Sequence, residues 1–248
     1  MKNLFTYFLL CLAFPLFAQQ ASDTLINLSQ PVTSRLLEVS VSANSYSGDL
    51  SRYESLSSFF HVALRFNQER RINHRLGVAS GFITGNNRFY RFRDTEGNLT
   101  TPNTFFRTQV LSFTYELEYN LIYRRNFRLY LSQGIGLSRF TAENEDNKNL
   151  LDLSQTRPFE EIYGNFTIHL PTGLGAIYLF KNGFGVGGYA GFVNTQTDFL
   201  DNISAWGNKS GNDNILRFRF SFLIPLERSE VLKFPDARRF EYYPYENE

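Results

Sequence analysis

Cysteine, histidine, net charge and long apolar runs are all scarce in this 248-residue chain, and each shortage excludes something. The single cysteine, Cys11, lies inside the N-terminal apolar stretch, preceded by Phe8, Leu9 and Leu10 where a lipidation site needs small residues. Once that stretch is removed, no thiol remains for disulfides, thiolate metal sites or cysteine nucleophiles. A formal net charge of +1 gives no general attraction to nucleic acid. Beyond the N-terminus nothing approaches the roughly 20 apolar residues of a membrane helix, and mean hydropathy is −0.29. Low hydropathy is no obstacle to a membrane β-barrel, whose strands show only alternate residues to lipid.

What is abundant is aromatic: 26 Phe and 14 Tyr. Lipid-facing Phe and interfacial girdles account for this excess, and so would a soluble aromatic-rich sandwich. Residues 1–18 read as a signal peptide, with Lys2 as the positive n-region. Leu4 to Phe17 are apolar except for Thr6 and Pro15, and Ala18 is a small residue at the cleavage site. The expected organisation is a signal peptide over 1–18, a periplasmic segment over 19–34, a barrel over 35–226 and a periplasmic tail over 227–248.

From Leu111 to Leu121 apolar or aromatic residues alternate without a miss against Ser112, Thr114, Glu116, Glu118 and Asn120. A period of two is a strand with two unlike faces, and about eleven residues is what a tilted strand needs to cross a bilayer. The same period predicts eight strands: about Arg35–Asn44, Phe59–Gln68, Arg75–Ile83, Arg107–Leu121, Phe127–Phe140, Asn165–Phe180, Phe184–Thr195 and Ile215–Leu226. Pro171 and two glycines in the sixth suggest a bulge. Glu69–His74, Arg124–Asn126 and Lys181–Gly183 are short connections; Ser45–Ser58, Thr84–Phe106, Thr141–Gly164 and Gln196–Asn214 are long. Strict alternation of long and short predicts an all-β, eight-stranded antiparallel transmembrane barrel, up-and-down and OmpA-like, with outer loops and periplasmic turns. Both mature termini then fall on the periplasmic side.

In water such a barrel would turn its apolar face inward and hold a ligand, as lipocalins do. Here the other face carries Glu38, His61, Arg65, Glu116, Glu118, Arg128, Arg217 and Arg219. Charges of both signs are tolerable around a narrow axis, where they pair, and costly against lipid. Eight strands leave an interior just filled by side chains, so the expectation is a plug of ion pairs and no open pore, with Arg128 meeting Glu116 and Glu118. Gly134 and Gly136 make room.

Little here suggests catalysis, and neither an enzymatic role nor a cofactor is expected. His61 and His169 face the interior on strands two and six, nearly opposite each other and short of the reach an acid–base pair needs; His74 reads as a solvated turn residue. Gly185, Gly187 and Gly188 open no helix, so they make no phosphate loop. Arg88-Phe89-Tyr90-Arg91-Phe92-Arg93 interleaves cations with aromatics in an outer loop. It reads as a nucleic-acid patch, as a lipopolysaccharide contact through Arg88, Arg91 and Arg93, or as the third strand extending outward and turning at Glu96-Gly97-Asn98. The tail bears Phe240, Tyr242, Tyr243 and Tyr245, which read as a mobile end or as periplasmic docking residues.

Two loop segments carry a family resemblance. Tyr46-Ser47-Gly48-Asp49-Leu50 follows the first strand, and Thr197-Asp198-Phe199-Leu200-Asp201-Asn202-Ile203-Ser204 follows the seventh. Both resemble signatures of an outer-membrane β-barrel domain family widespread in Bacteroidota. There an aromatic-x-Gly-Asp-Leu segment follows the first strand and a Thr-Asp-aromatic-Leu-Asp-Asp-Val-Ser segment precedes the last. This chain departs at Asn202, usually Asp, and Ile203, usually Val. One branch of the family looks like the barrel subunit of the type IX secretion machinery, which helps anchor a periplasmic ring. The resemblance implies an integral anchor with outer-membrane lipid, lipopolysaccharide and periplasmic or surface proteins as partners. Physically, Gly48 is expected to supply an unusual backbone angle and Asp49 a local turn bond. Asp198 and Asp201 are expected to cap a short helical turn over the mouth, with Ca²⁺ ligation as the alternative.

Overall fold

The computed structural model describes residues 34–226, except 69, 94–96, 125, 154–155, 157–163 and 208–210. The signal peptide and the tail aromatics Phe240, Tyr242, Tyr243 and Tyr245 lie outside the described residues. Eight strands close into one antiparallel barrel: β1 Leu36–Ser47, β2 Arg52–Phe66, β3 Ile72–Asn86, β4 Phe105–Tyr123, β5 Phe127–Glu143, β6 Phe166–Leu179, β7 Gly185–Thr195 and β8 Asn214–Pro225. Each strand pairs with its sequence neighbours, and β1 closes the ring on β8 from Leu36↔Pro225 to Ser47↔Asn214. This is the expected up-and-down order.

The period-two faces fall where the sequence puts them. Along β4 the residues from Leu111 to Leu121 alternate outward and inward, with Leu111, Phe113, Tyr115, Leu117 and Leu121 exposed. Their neighbours Thr114, Glu116, Glu118 and Asn120 are buried around the axis. Ten residue steps span about 34 Å along the strand, which a tilt of about 40° reduces to the roughly 25 Å of a lipid-facing band. Ile135, Leu137, Phe218 and Phe220, all more than half exposed, continue the band around the wall. The outside is therefore apolar and the axis ionic, which is the arrangement of a protein solvated by hydrocarbon.

Several local expectations need correction. The first outer connection is short, not long: β2 begins at Arg52, so only residues 48–51 link it to β1. Arg52–Ser58 lacks the apolar alternation because it rises beyond the lipid band, where nothing selects for it. No bulge occurs at Pro171. The β5–β6 register is the same on both sides, from Gln133↔Thr172 to Gly136↔His169, with only the two intervening pairs missing. Proline offers no N–H to the ladder, and Gly134 opposite leaves space for its ring; a Cβ on Gly134 would lie 2.9 Å from Pro171 Cγ. The register shifts that do occur are at Ser45–Ser47 and Asn120–Ile122. The outer hairpin after β3 is a separate two-residue ladder, Phe92↔Thr100 and Arg93↔Leu99, not an extension of the third strand. On the periplasmic side Gly183 takes φ +89 to close the tight β6–β7 turn, its N–H donating to the Phe180 carbonyl at 3.0 Å.

An arginine placed at Ile135, midway across the band, should cost about 2–4 kcal/mol. Urea unfolding in lipid vesicles will read this as a lowered midpoint; an unchanged midpoint means that the residue does not face lipid.

Candidate functional site: the barrel interior and its capped mouth

At the centre stands Glu38, fully buried on β1. Arg65 Nε donates to its Oε2 at 2.5 Å, and Arg75 reaches both its oxygens, Nε to Oε2 at 3.2 Å and Nη2 to Oε1 at 3.1 Å. Ser40 and Ser221 hydroxyls add 3.0 and 3.1 Å bonds to Oε1. From this hub Arg65 Nη1 continues to Glu118 at 2.5 Å and Nη2 to the Tyr130 hydroxyl at 3.1 Å, while Arg75 Nη1 bonds Glu116. Ser132 donates to Glu116 at 2.8 Å. Arg219 stands 3.3 Å from Glu38 and 3.6 Å from Glu116 and lies over the Tyr189 ring at 4.5 Å. Its Nε and Nη2 make no hydrogen bond within the protein, so its hold there is coulombic. Three carboxylates thus meet three guanidiniums, and the central cluster is neutral.

Arg128 and Arg217 stand outside that balance. Arg128 does not meet Glu116 or Glu118 as expected; it bonds the Gln68 carbonyl and lies 5.4 Å from the Tyr123 ring centre. Arg75, on the inward register of β3, takes the place expected for it. Arg217 donates to Asn44 Oδ1 at 2.8 Å and sits 5.4 Å from the Phe59 ring. Each lone cation thus has an amide oxygen and an aromatic face. The histidines serve the same interior: His61 Nε2 is 2.7 Å from Ser42 Oγ, and His169 spans Thr114 and Ser138 at 2.9 Å each. The Ser138–His169 contact lies inside the sealed barrel, and the ring's other nitrogen is taken by Thr114, not by a carboxylate that would orient a base. His74 is not in a turn but on β3, with Nδ1 2.6 Å from the Tyr115 hydroxyl and its ring stacked on Tyr115.

Above the ionic layer the interior becomes apolar. Tyr46, Phe59, Ile83, Phe106, Val110, Phe140 and Val193 of the strands form a buried cluster with Leu50, Leu200 and Ile203 of the loops. Inward registers for Phe59, next but one to His61, and for Phe140, next but one to Ser138, are readable from the strand period. The loop contribution is not. The two motif segments pack on each other there. Tyr46 donates to Asp213 Oδ1 at 2.6 Å, and Asp213 Oδ2 accepts from the Leu200 amide at 2.9 Å. Asp201 accepts from the Leu50 amide at 3.2 Å and the Ile203 amide at 3.0 Å. Thr108 bonds the Leu200 carbonyl, and Asn103 reaches the Asp201 carbonyl at 3.0 Å.

Gly48 is corrected from an unusual backbone angle to a space requirement: it has no positive φ, and a Cβ there would overlap the Tyr46 hydroxyl and the Asp213 carboxylate. Asp49 sets its carboxylate against Gly207, where a Cβ would overlap it. Asp201 forms an Asx-type bond two residues on and caps no helix; the short helix Leu150–Asp152 lies elsewhere. Among the described residues no three His, Cys, Asp or Glu side chains converge as metal ligands. Arg88, Arg91 and Arg93 project from the outer hairpin, whose Phe92 stacks on Trp206 at 4.8 Å and whose Tyr90 donates to the Trp206 carbonyl at 3.1 Å.

No family model matches the chain, and no curated protein matches it. Among solved structures, the barrel resembles Neisserial surface protein A (TM-score 0.49, 8% identity, 77% of this chain, 96% of that one). It also resembles Ail, the attachment invasion locus protein of Yersinia pestis, crystallised with the heparin analogue sucrose octasulfate (0.45, 8%, 77% and 98%). A third is a major outer membrane protein from Thermus thermophilus (0.44, 11%, 77% and 99%). The chain's orientation in the membrane rests instead on its own greasy exterior and ionic axis.

Replacing Glu38 by Gln should cost about 3–5 kcal/mol, because three guanidiniums would then face two carboxylates and one buried cation would go uncompensated; unfolding in detergent or vesicles measures it. A second outcome concerns pH. In the outer loop, burial pushes Asp201 up to about 7 and holds Asp213 well above the usual carboxylate range, each also facing acidic neighbours, Asp49, Asp198 and one another. Raised values favour the protonated, folded state, so the latch is fullest below about pH 4 and weakens as pH rises through about 7. Protease nicking of the outer loops should increase between about pH 5.5 and 8.5, and Asp213→Asn should flatten that rise.

Proposed function

We propose that the chain is a non-enzymatic integral outer-membrane barrel that serves as a structural anchor or assembly partner for an envelope complex. On this reading it reaches the outer membrane after loss of residues 1–18 and presents a periplasmic tail over 227–248. The observation that carries the reading is the doubly filled interior. An ionic layer around Glu38 and an apolar layer under the joined loops occupy the interior and disfavour passage along the axis. A barrel so filled acts through its ends and its outer wall. The resemblance of Tyr46–Leu50 and Thr197–Ser204 to the Bacteroidota family supports placing the complex within type IX secretion.

A second reading has the outer loops engage lipopolysaccharide. It is favoured by Arg88, Arg91 and Arg93 on a hairpin held by the Phe92–Trp206 stack, since guanidinium forks suit phosphates.

Pull-down with the full chain and with a chain ending at residue 226 separates the two. An anchor loses periplasmic proteins on truncation, whereas a loop binder keeps its ligand. In planar bilayers the purified barrel should show no steady conductance. An unchanged secreted protein profile after gene deletion rules out membership of the secretion machinery.

A further inference from the structure

One seam of the barrel opens toward the outer side. Strands β2 and β3 are each 15 residues long, yet they pair only from Phe59↔Gly81 to Phe66↔His74. Above that point β2 stays with β1 and β3 stays with β4, up to Asn86↔Phe105. Residues 52–58 and 82–86 therefore face each other with no backbone ladder between them. The contact across this gap is between hydroxyls, Ser57 Oγ and Thr84 Oγ1, at 3.5 Å. Unpaired strand edges demand partners, and at the membrane boundary those partners must be water or a polar headgroup. By register the gap opens level with Gln109 and Arg107 on β4, just outside the upper end of the lipid band at Leu111.

Two further features meet there. Arg107 points outward with its guanidinium 4.0 Å above the Phe82 ring, opposite Glu143 of β5 in the register. From this corner a shallow, largely open trough runs across the lipid-facing wall. Its floor is small, with Ala43, Ala176, Gly188 and Ala190, and Phe218 and Phe220 stand along it. A Cβ added to Gly188 would meet nothing within 4 Å. Elsewhere the band is lined by Leu, Ile and Phe side chains that fill such space.

We propose that this corner and trough form a binding site for a phosphorylated glycolipid of the outer leaflet, of the lipid A type. The phosphate meets Arg107, the sugar hydroxyls satisfy the unpaired β2–β3 edges, and the acyl chains lie over the small-residue floor. The occupant is a multi-chain lipid because the small-residue floor crosses β6, β7 and β1, several strands wide at about 4.8 Å each, broader than one acyl chain. It is a glycolipid because the edges offer several donors and acceptors that a lone phosphodiester leaves unmatched. The inference rests on the membrane-barrel reading but not on the anchor role. It also differs from the loop contact, whose arginines stand on the outer hairpin.

The test is lipid retention. Full-length protein exchanged into mild detergent is mixed with equal lipid A and phosphatidylglycerol, and bound lipid is counted by native mass spectrometry. Wild type should retain lipid A preferentially. Arg107→Gln should retain about tenfold less, the loss of one charge-assisted phosphate bond, and Ala190→Phe, which fills the trough, should also lose it. Arg124→Gln, in the periplasmic turn after β4, should retain as much as wild type. Gel mobility before and after boiling certifies that each variant is folded. Equal retention of both lipids, or undiminished retention by folded Arg107→Gln, overturns the site. A chain that is monomeric and soluble without detergent instead overturns the membrane reading beneath it.

Discussion

Burying Glu38 on the axis is the commitment from which the rest of this barrel follows. An ionised carboxylate removed from water is expensive unless it is paired and hydrogen-bonded. Here Arg65, Arg75 and Arg219 surround it, each contributed by a different strand, and two serines complete its shell. Those partners lie on β2, β3 and β8, so the cluster ties strands on both sides of β1. A slip of one residue in any of these strands would turn its arginine toward hydrocarbon. The ion pairs are therefore better understood as a register lock than as a store of stability, since a buried pair by itself returns little net free energy.

Filling changes character with height because the solvent at the two ends differs. Around the middle, charges must neutralise one another, and they do so three against three. Toward either end a lone arginine, Arg128 below and Arg217 above, is held by an amide oxygen and an aromatic face. At the outer mouth the loops fold inward, and Phe59, Phe106 and Phe140 join Leu50, Leu200 and Ile203 in a core like that of a soluble protein. The molecule thus has two solvents outside and two kinds of interior within. Beneath the cap the two segments are joined through backbone amides of Leu50, Leu200 and Ile203 given to two aspartates.

The fold and most of the ionic layer were legible because period two is a strict geometric signal wherever one face meets lipid. Glu38, Arg65, Glu116, Glu118, Arg217 and Arg219 all lie inward as the alternation of their strands requires. The signal fades where its cause does. Arg52–Ser58 is a strand beyond the lipid band, carries no alternation and looked like loop. Arg75 shares the inward register of Gly77 and Ala79 but opens its strand and sits among Asn73, His74 and Arg71, where a turn reads equally well. The ring partners of Arg128 and the joining of Tyr46 to Asp213, 167 positions apart, are tertiary facts with no local trace. Proline was misleading for a definable reason: Pro171 costs the ladder a donor, but a glycine opposite it absorbs the ring without shifting the register.

The two loop motifs look different once their bonds are known. Tyr46, Gly48 and Leu50 of one segment and Leu200, Asp201 and Ile203 of the other are spent on each other or on Asp213, and most of these side chains are buried. Residues used this way hold the mouth closed and are turned away from any partner outside. A motif of this kind specifies how a barrel is capped, so barrels with unlike partners can share it. Whatever distinguishes this chain's role from that of similar barrels must then lie in surfaces the motifs leave alone. Those are the arginine-bearing hairpin, the open β2–β3 edge with Arg107 beside it, and the small-residue trough on the wall. All three face outward, away from the ionic axis.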